Sequence, residues 1–434
     1  MEIISKYPVP LRRSRRAEME LKYGRKNLEF EIESSRVLDI LRANEKEALN
    51  DPLKAVENSL KKPVGTAPLA ELLAAEKIND LVIIVNDVTR FTPYNYMLPP
   101  LLKTISEAGI KNEQLTFIVA TGVHSPHSAE QNREIFGEEI DANYNFIYHN
   151  CDQDLADLGR LSTGNQLKIN KKVAEADFLI TTGVILPHYM AGFSGGRKSI
   201  LPGVAARESI EKNNAMMVDV IEDHPPLEDN PISKEMFEAA EKVGVDFILN
   251  VVTNSSREIV QVAAGDYRQA WEAGIYQSAD MYHLPLKEKA EAAIVSSGGF
   301  PRDINVYQAQ KALDHADHAV KKGGTIIWVA ECSEGYGEER FEKWMNQAES
   351  PTDNIRRIKK KFVIGGHKAF AISKVAAEKE IILISALSRA KTENIFAKKM
   401  MSIQEAVDYL EDRYDGDYST YIMPQGSLTV PVVK

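Results

Sequence analysis

A chain of 434 residues is too long for one ordinary core, and with 44% hydrophobic and 27% charged residues it has globular proportions, so two α/β-sized domains are expected without disulfide or metal staples. The net charge of −10, from 53 basic and 63 acidic residues, argues against a general nucleic-acid binder. No stretch approaches the ~18 consecutive apolar residues of a membrane span, residues 1–24 lack the apolar core of a secretory signal, and the two isolated cysteines, Cys151 and Cys332, fit a reducing, cytoplasmic location.

In chain order, residues 19–32 alternate apolar and polar about Gly24, which predicts a β-hairpin. The cations before it, Arg12, Arg13, Arg15 and Arg16, read as a solvated extension or partner contact. Asn50-Asp51-Pro52 opens a helix carrying Val56 and Leu60. The runs 81–85, 115–120, 145–149 and 177–182 are short and continuously apolar, as in strands buried on both faces, and helical stretches such as 96–109 separate them. That alternation implies a parallel, doubly wound sheet, whose ligands gather beyond the carboxyl ends of the strands. Asp87 to Arg90, His124 and His188 all lie there. A helical pattern over 208–217, a hairpin over 247–260 turning at Asn254-Ser255-Ser256 and a helix over 267–283 complete a first domain, 1–283. Leu284-Pro285-Leu286 reads as a linker into a second, 284–434. It restarts with a strand over 292–296 and a helix over 305–322 with Asp303 as N-cap. Strands over 325–330, 361–364 and 381–385 follow, with 430–433 as an edge strand.

The stretch 182–205, TGVILPHYMAGFSGGRKSILPGVA, leaves a strand through His188 and enters a loop of small residues. Gly192, Gly195 and Gly196 let the main chain approach an anion, and Lys198 is suited to a phosphate or to nucleophilic chemistry. The plainer reading is a surface turn with two solvated cations, Arg197 and Lys198. Because Arg197 separates Gly196 from Lys198-Ser199, a nucleotide triphosphatase is disfavoured. His124 and His188 follow corresponding strands, and inverting a stereocentre calls for a base on each face of a planar carbon. His124 and His127 form an HxxH, but Pro126 breaks helical spacing and no third ligand is apparent, so zinc is not expected. Asp87-Val88-Thr89-Arg90 suits a grip on phosphate or carboxylate, or else a loop salt bridge. Gln308 and Lys311 share a helical face and can bind one carboxylate together, or can simply be solvated. His149, His224, His283, His315, His318 and His367 are assigned to surface or packing.

Five stretches, LKYGRKNLEFEI, DVTRFTP, TGVHSPHS, PHYMAGFSGGRKSILPG and GGFPRDINVYQAQKAL, together resemble the nickel-dependent lactate racemase family along nearly the whole chain. The resemblance implies two α/β domains with mostly parallel sheets and the active site in the cleft between them. It implies reversible hydride transfer from Cα of a 2-hydroxy acid to a nickel-pincer nucleotide tethered to Lys198, with His124 and His188 as alternating bases. Asp87, Thr89, Arg90 and Tyr307 fall where the family holds that nucleotide, and Gln308 and Lys311 where it orients the substrate carboxylate. Cofactor-synthesis proteins are implied as partners. At the family's nickel-ligand His this chain reads Asn214, and a neutral amide binds nickel less well than imidazole; Val88 also replaces a more polar residue. A member that binds the nucleotide or a hydroxy acid without turnover is therefore the alternative.

Overall fold

The computed structural model describes residues 16–75, 77–223 and 225–433. Arg12, Arg13, Arg15 and His224 lie outside the described residues. The chain opens on an antiparallel hairpin of β1 (Arg16–Tyr23) and β2 (Lys26–Glu33). It turns at Gly24, whose φ of +54° suits a residue without Cβ. Its period-two alternation buries Leu21, Tyr23, Phe30 and Ile32 on one face. After β3 (Val37–Ile40), the helix Pro52–Lys61 starts where expected, with the Asp51 side chain accepting from Lys54 N and Pro52 in the first turn. Then come β4 (Leu81–Asn86), the helix Tyr94–Glu107, β5 (Leu115–Ala120) and β6 (Asn145–Tyr148). A hairpin of β7 (Leu155–Arg160) and β8 (Gln166–Asn170) precedes β9 (Phe178–Val184). The two-residue strands β10 (Pro187–His188) and β11 (Gly192–Phe193) pair across the signature stretch. The helices Arg207–Ala215, Met217–Asp223 and Pro231–Val243 lead to β12 (Phe247–Thr253), β13 (Ile259–Gly265) and the helix Gln269–Tyr282.

The rest of the chain holds β14 (His283–Leu286), β15 (Ala290–Ser296), the helix Val306–Asp317 and β16 (Val320–Val329). The helices Glu339–Gln347, Pro351–Lys360 and Gly366–Glu378 follow, then β17 (Glu380–Ile384), β18 (Ala397–Met400), β19 (Thr420–Met423) and β20 (Val430–Val433).

The chain divides into two compact units. One, Ala43–Leu284 with Arg356–His367, is built on a sheet ordered β13-β12-β9-β4-β5-β6. Its pairings among the described residues are parallel except that of β13 on β12. The strand order reverses between β4 and β9: the chain moves outward through β5 and β6, then returns to the other side of β4. This is the switch point at which α/β sheets leave a crevice beyond their carboxyl ends. The core of this unit joins Ile83, Val85, Phe117, Ile180 and Leu249 of the sheet to Leu98 and Leu101 of the helix Tyr94–Glu107.

The other unit, Met1–Arg42 with Pro285–Ile355 and Lys368–Lys434, carries a sheet ordered β18-β17-β16-β15-β19-β3, parallel throughout among the described residues. The α/β class with mostly parallel sheets is as expected, but the N-terminal strands pack here and not with the 1–283 domain in which the sequence reading put them. The reason is long-range pairing: Val37 of β3 faces Thr420 of β19, and Leu21, Tyr23, Phe30 and Ile32 share a core with Ile294, Ile327 and Ile382. Five local expectations also change. The helix expected over 305–322 ends at Asp317, because β16 already begins at Val320. Residues 361–364 form no strand. Leu284-Pro285-Leu286 belongs to β14, and β20 pairs with β14 in a separate two-stranded sheet. The N-cap of the helix Val306–Asp317 is Asn305, while the Asp303 carboxylate accepts from Gly24 N (2.6 Å) and Glu331 N (3.2 Å).

Candidate functional site

Strands β4 and β5 are parallel neighbours with Asn86 opposite Ala120, so the residues just past their ends emerge side by side. Asp87 Oδ2 and His124 Nδ1 are 2.7 Å apart, and Asp87 Oδ1 accepts from the backbone N (3.1 Å) and hydroxyl of Thr89. Asp87 is 3% exposed, whereas 48% of the His124 side chain is accessible. Burial pushes the Asp87 carboxyl upward, but the hydrogen bonds from His124 and Thr89, with the charges of His124 and Arg90, outweigh it and hold the group below the usual carboxylate range. An ionised carboxylate can only accept. A neutral His124 therefore carries its proton on Nδ1, with the lone pair on Nε2. Asp87 was expected among the nucleotide-holding residues, and the described contacts commit both of its oxygens to His124 and Thr89. Thr89 and Arg90 are exposed beyond β4.

The signature stretch is stapled to the end of β9. Ser194 Oγ donates to Val184 O and accepts from Leu186 N, and Gly196 N donates to Asn250 Oδ1 on the neighbouring β12. Gly195 has φ +75°, and a Cβ there would lie 2.7 Å from Asn250 Oδ1 and 2.8 Å from Ile185 Cγ1. The short turn Gly196–Ser199 follows. Its two cations part company, unlike the pair of solvated cations of the plainer reading. Arg197 is 1% exposed, with its guanidinium 3.8 Å from the Trp271 ring centroid and 4.8 Å from that of Phe237. Its Nη2 donates to Ala191 O and Ser233 Oγ. Burial, reinforced by Arg268, pushes this guanidinium down to about 9. Arg197 thus pins the loop from behind, and Lys198, the next residue, remains partly exposed.

His188 is held in the opposite sense to His124. Its Nδ1 accepts from Met190 N and Ala191 N, each at 3.3 Å, and its ring stacks on Tyr189 at 5.3 Å. A neutral His188 therefore carries its proton on Nε2. Neutral His124 thus offers Nε2 as a hydrogen-bond acceptor, and neutral His188 offers Nε2–H as a hydrogen-bond donor.

In the second unit, Gln308 and Lys311 meet as their spacing implies, with Lys311 Nζ donating to Gln308 Oε1 at 3.1 Å. Tyr307 is half-buried and sits edge-on to Phe341; burial and Glu338 push its phenol up to about 12, so it stays protonated. Asn213 is buried, its amide bound to Glu235 and Ile232 O, while the adjacent Asn214 is partly exposed. The remaining described histidines behave largely as packing groups: His127 on Asn132, His149 on Ala205 O, His315 on Gly426 O, and His283 against Phe193. Asn250 was missed by the sequence reading, although a lone amide inside the apolar run FILNVVT was a signal.

Among the described residues no group of three or more His, Cys, Asp or Glu is disposed to hold a metal ion. Beyond β4 and β9, Thr89, Arg90 and Lys198 offer a hydroxyl, a guanidinium and an amine. That set fits a phosphate-bearing cofactor that brings its own metal donors, and does not fit a bare metal ion.

Residues 23–223 match the lactate racemase N-terminal domain and residues 286–432 the lactate racemase C-terminal domain. The chain is 32% identical over 421 residues to a lactate racemase of Thermoanaerobacterium thermosaccharolyticum, covering 94% of this chain and 98% of that one. It is 35% identical over 304 residues to a lactate racemase of Lactiplantibacillus plantarum, covering 69% and 71% respectively. The lactate racemase apoprotein structure from the first organism superposes with a TM-score of 0.88 at 31% identity, over 96% of this chain and all (100%) of that one. A Thermotoga maritima protein of 20% identity, with a TM-score of 0.64 over 90% of this chain and 100% of that one, shares the fold. No helix among the described residues is long and apolar enough to cross a membrane. With both halves matched and the parallel-sheet architecture shared, the chain belongs to the lactate racemase family and is an isomerase.

Proposed function

We propose that this protein inverts the stereocentre of lactate or a closely related 2-hydroxy acid, with His124 and His188 exchanging the hydroxyl proton on opposite faces of Cα. The observation that carries the reading is their complementary tautomers: Asp87 leaves His124 Nε2 as an acceptor, and two backbone N–H groups leave His188 Nε2 as a donor. For inversion a neutral imidazole takes the hydroxyl proton on one face and an imidazolium returns a proton on the other, so His188 acts as the acid only after taking a second proton on Nδ1, and is left neutral. Gln308 and Lys311 bind the substrate carboxylate through an amide and an amine already in contact.

Lys198 is the residue that would tether a nickel-pincer nucleotide, with Thr89, Arg90 and Tyr307 holding its polar groups. When bound, that group supplies a hydride acceptor for Cα. Asn214 can contact nickel only as a neutral amide, which favours the second reading, a member that retains cofactor or hydroxy acid without turnover. Cytoplasmic action and dependence on cofactor-synthesis proteins belong to the same proposal; the two described cysteines are free and buried, in keeping with a reducing setting.

Protein co-produced with cofactor-making enzymes should show a mass adduct on Lys198, bound nickel, and racemisation of L- or D-lactate by chiral assay. His124→Ala and His188→Ala should each lower kcat about a hundredfold or more. Adduct and nickel with no racemisation of any 2-hydroxy acid would favour the binding role, and full activity in Lys198→Ala would remove the tether.

A further inference from the structure

Behind Gln308 and Lys311, the helix Val306–Asp317 carries a second row of polar groups that the proposed chemistry does not use. Gln310, Asp314 and Asp317 recur at helical spacing and are 0%, 8% and 7% exposed. The helix Gly366–Glu378 and the residue after it bring Lys368, Lys374 and Lys379 to this row. Asp317 is neutralised by Lys379 and by Lys374 at 3.7 Å. Lys368, 3% exposed, donates to Gln310 Oε1 at 2.8 Å and lies 5.5 Å from the Tyr307 ring centroid.

The charges that act on the Lys368 amine are Lys311 and Asp314; those that act on Asp314 are Asp317, Lys368 and Lys374. A buried amine is costly to charge, and a second amine nearby makes it costlier. Burial, then Lys311, pushes Lys368 down to about 7, while burial, then Asp317, pushes Asp314 up to about 7. The buried amine, held against Gln310 and Tyr307 on the helix that carries Lys311, thus responds to the charge of the lysine proposed to meet an anion.

We propose that Lys368 is a positioning residue for the substrate carboxylate: an anion held by Gln308 and Lys311 offsets the repulsion between the two amines, and Lys368 takes up a proton as the 2-hydroxy acid binds. This rests on the reading of Gln308 and Lys311 as the carboxylate contacts. The sign follows from linkage. Binding raises the affinity of Lys368 for its proton, so substrate affinity is full below the ordinary titration of Lys368 in the free protein and weakens as pH rises through and above it.

The test is the KM of the cofactor-loaded enzyme for lactate between pH 6 and 9, a range in which a 2-hydroxy acid stays ionised. In the unmodified protein KM should be flat below about pH 7 and climb roughly tenfold above it. Lys368→Arg, always charged, should hold KM flat near the low value, and Lys368→Met, never charged, should hold it flat near the high one. The kcat profile should keep its shape in both variants. A flat KM in the unmodified protein, or a rise that persists in Lys368→Arg, overturns the proposal, and the arginine variant decides it even if the methionine variant does not fold. Lys311→Ala separates the two layers: an unchanged KM there sinks the carboxylate assignment itself and the proposal with it. A raised KM there, without the Lys368-dependent pH response, sinks the proposal alone.

Discussion

A carboxylate against one imidazole nitrogen decides what the other nitrogen can do, so Asp87 is the side chain on which the proposed chemistry is most exposed to test. Asp87→Asn keeps the shape but offers an amide that can donate to Nδ1, moving the His124 proton to Nε2. We expect kcat to fall on the order of a hundredfold or more with a modest change in KM, read by steady-state kinetics in both directions. The acid response should change as well. The Asp87 carboxyl is held below its unfolded range, so its stabilisation is complete above the unfolded pKa and lost as pH falls through the folded one. The unmodified protein should therefore lose stability more steeply than Asp87→Asn in an acid titration followed by denaturant unfolding. The positions of His124, His188, Lys198, Gln308 and Lys311 in the fold were legible because each stands at a strand end, in a glycine loop or on one helical face. The Asp87 to His124 bond was not, since it depends on β4 and β5 being neighbours, nor was the burial of Arg197, because nothing local announces that Trp271 and Phe237 will enclose it.

At the scale of the element, the loop from His188 to Ser199 is held by contacts that leave Gly195 no room. Gly195→Ala combines a left-handed φ of +75° with a Cβ 2.7 Å from Asn250 Oδ1, so it should cost about 1–3 kcal/mol and displace the turn that carries Lys198. Denaturant unfolding reads the first effect, and intact mass of cofactor-exposed protein reads the second as a lost adduct. An alanine variant with unchanged stability and full adduct would show that the loop adapts. Strands such as β4, β5 and β12 announced themselves as unbroken apolar runs, since both faces of each are covered. The hairpin of β7 and β8, more polar and half-exposed, carried no such mark. The start of β16 was hidden too, because its exposed residues Lys321, Lys322 and Gly323 look like a helix end.

At the scale of the whole molecule, the segment Met1–Arg42 belongs to the unit formed by the end of the chain. Removing it would expose the partners of Leu21, Tyr23, Phe30 and Ile32, each about 1.5–3 kcal/mol of burial, a total comparable with the stability of a domain. A chain beginning at residue 43 should therefore aggregate or lose protease resistance in residues 285–355 and 368–434 before residues 43–284, as followed by limited proteolysis and mass spectrometry. Equal resistance of the two would argue that the N-terminal strands are dispensable. This membership was invisible beforehand because the pairing of Val37 with Thr420 leaves no trace in either neighbourhood. It has a consequence in time. Synthesis proceeds at roughly 5–20 residues per second, so the first strands leave the ribosome some tens of seconds before their partners exist. Through that interval an apolar hairpin waits unsheltered while the intervening unit can already fold. Production in cells should thus be limited by protection of the nascent N-terminus, and chains that terminate early should be cleared as waste.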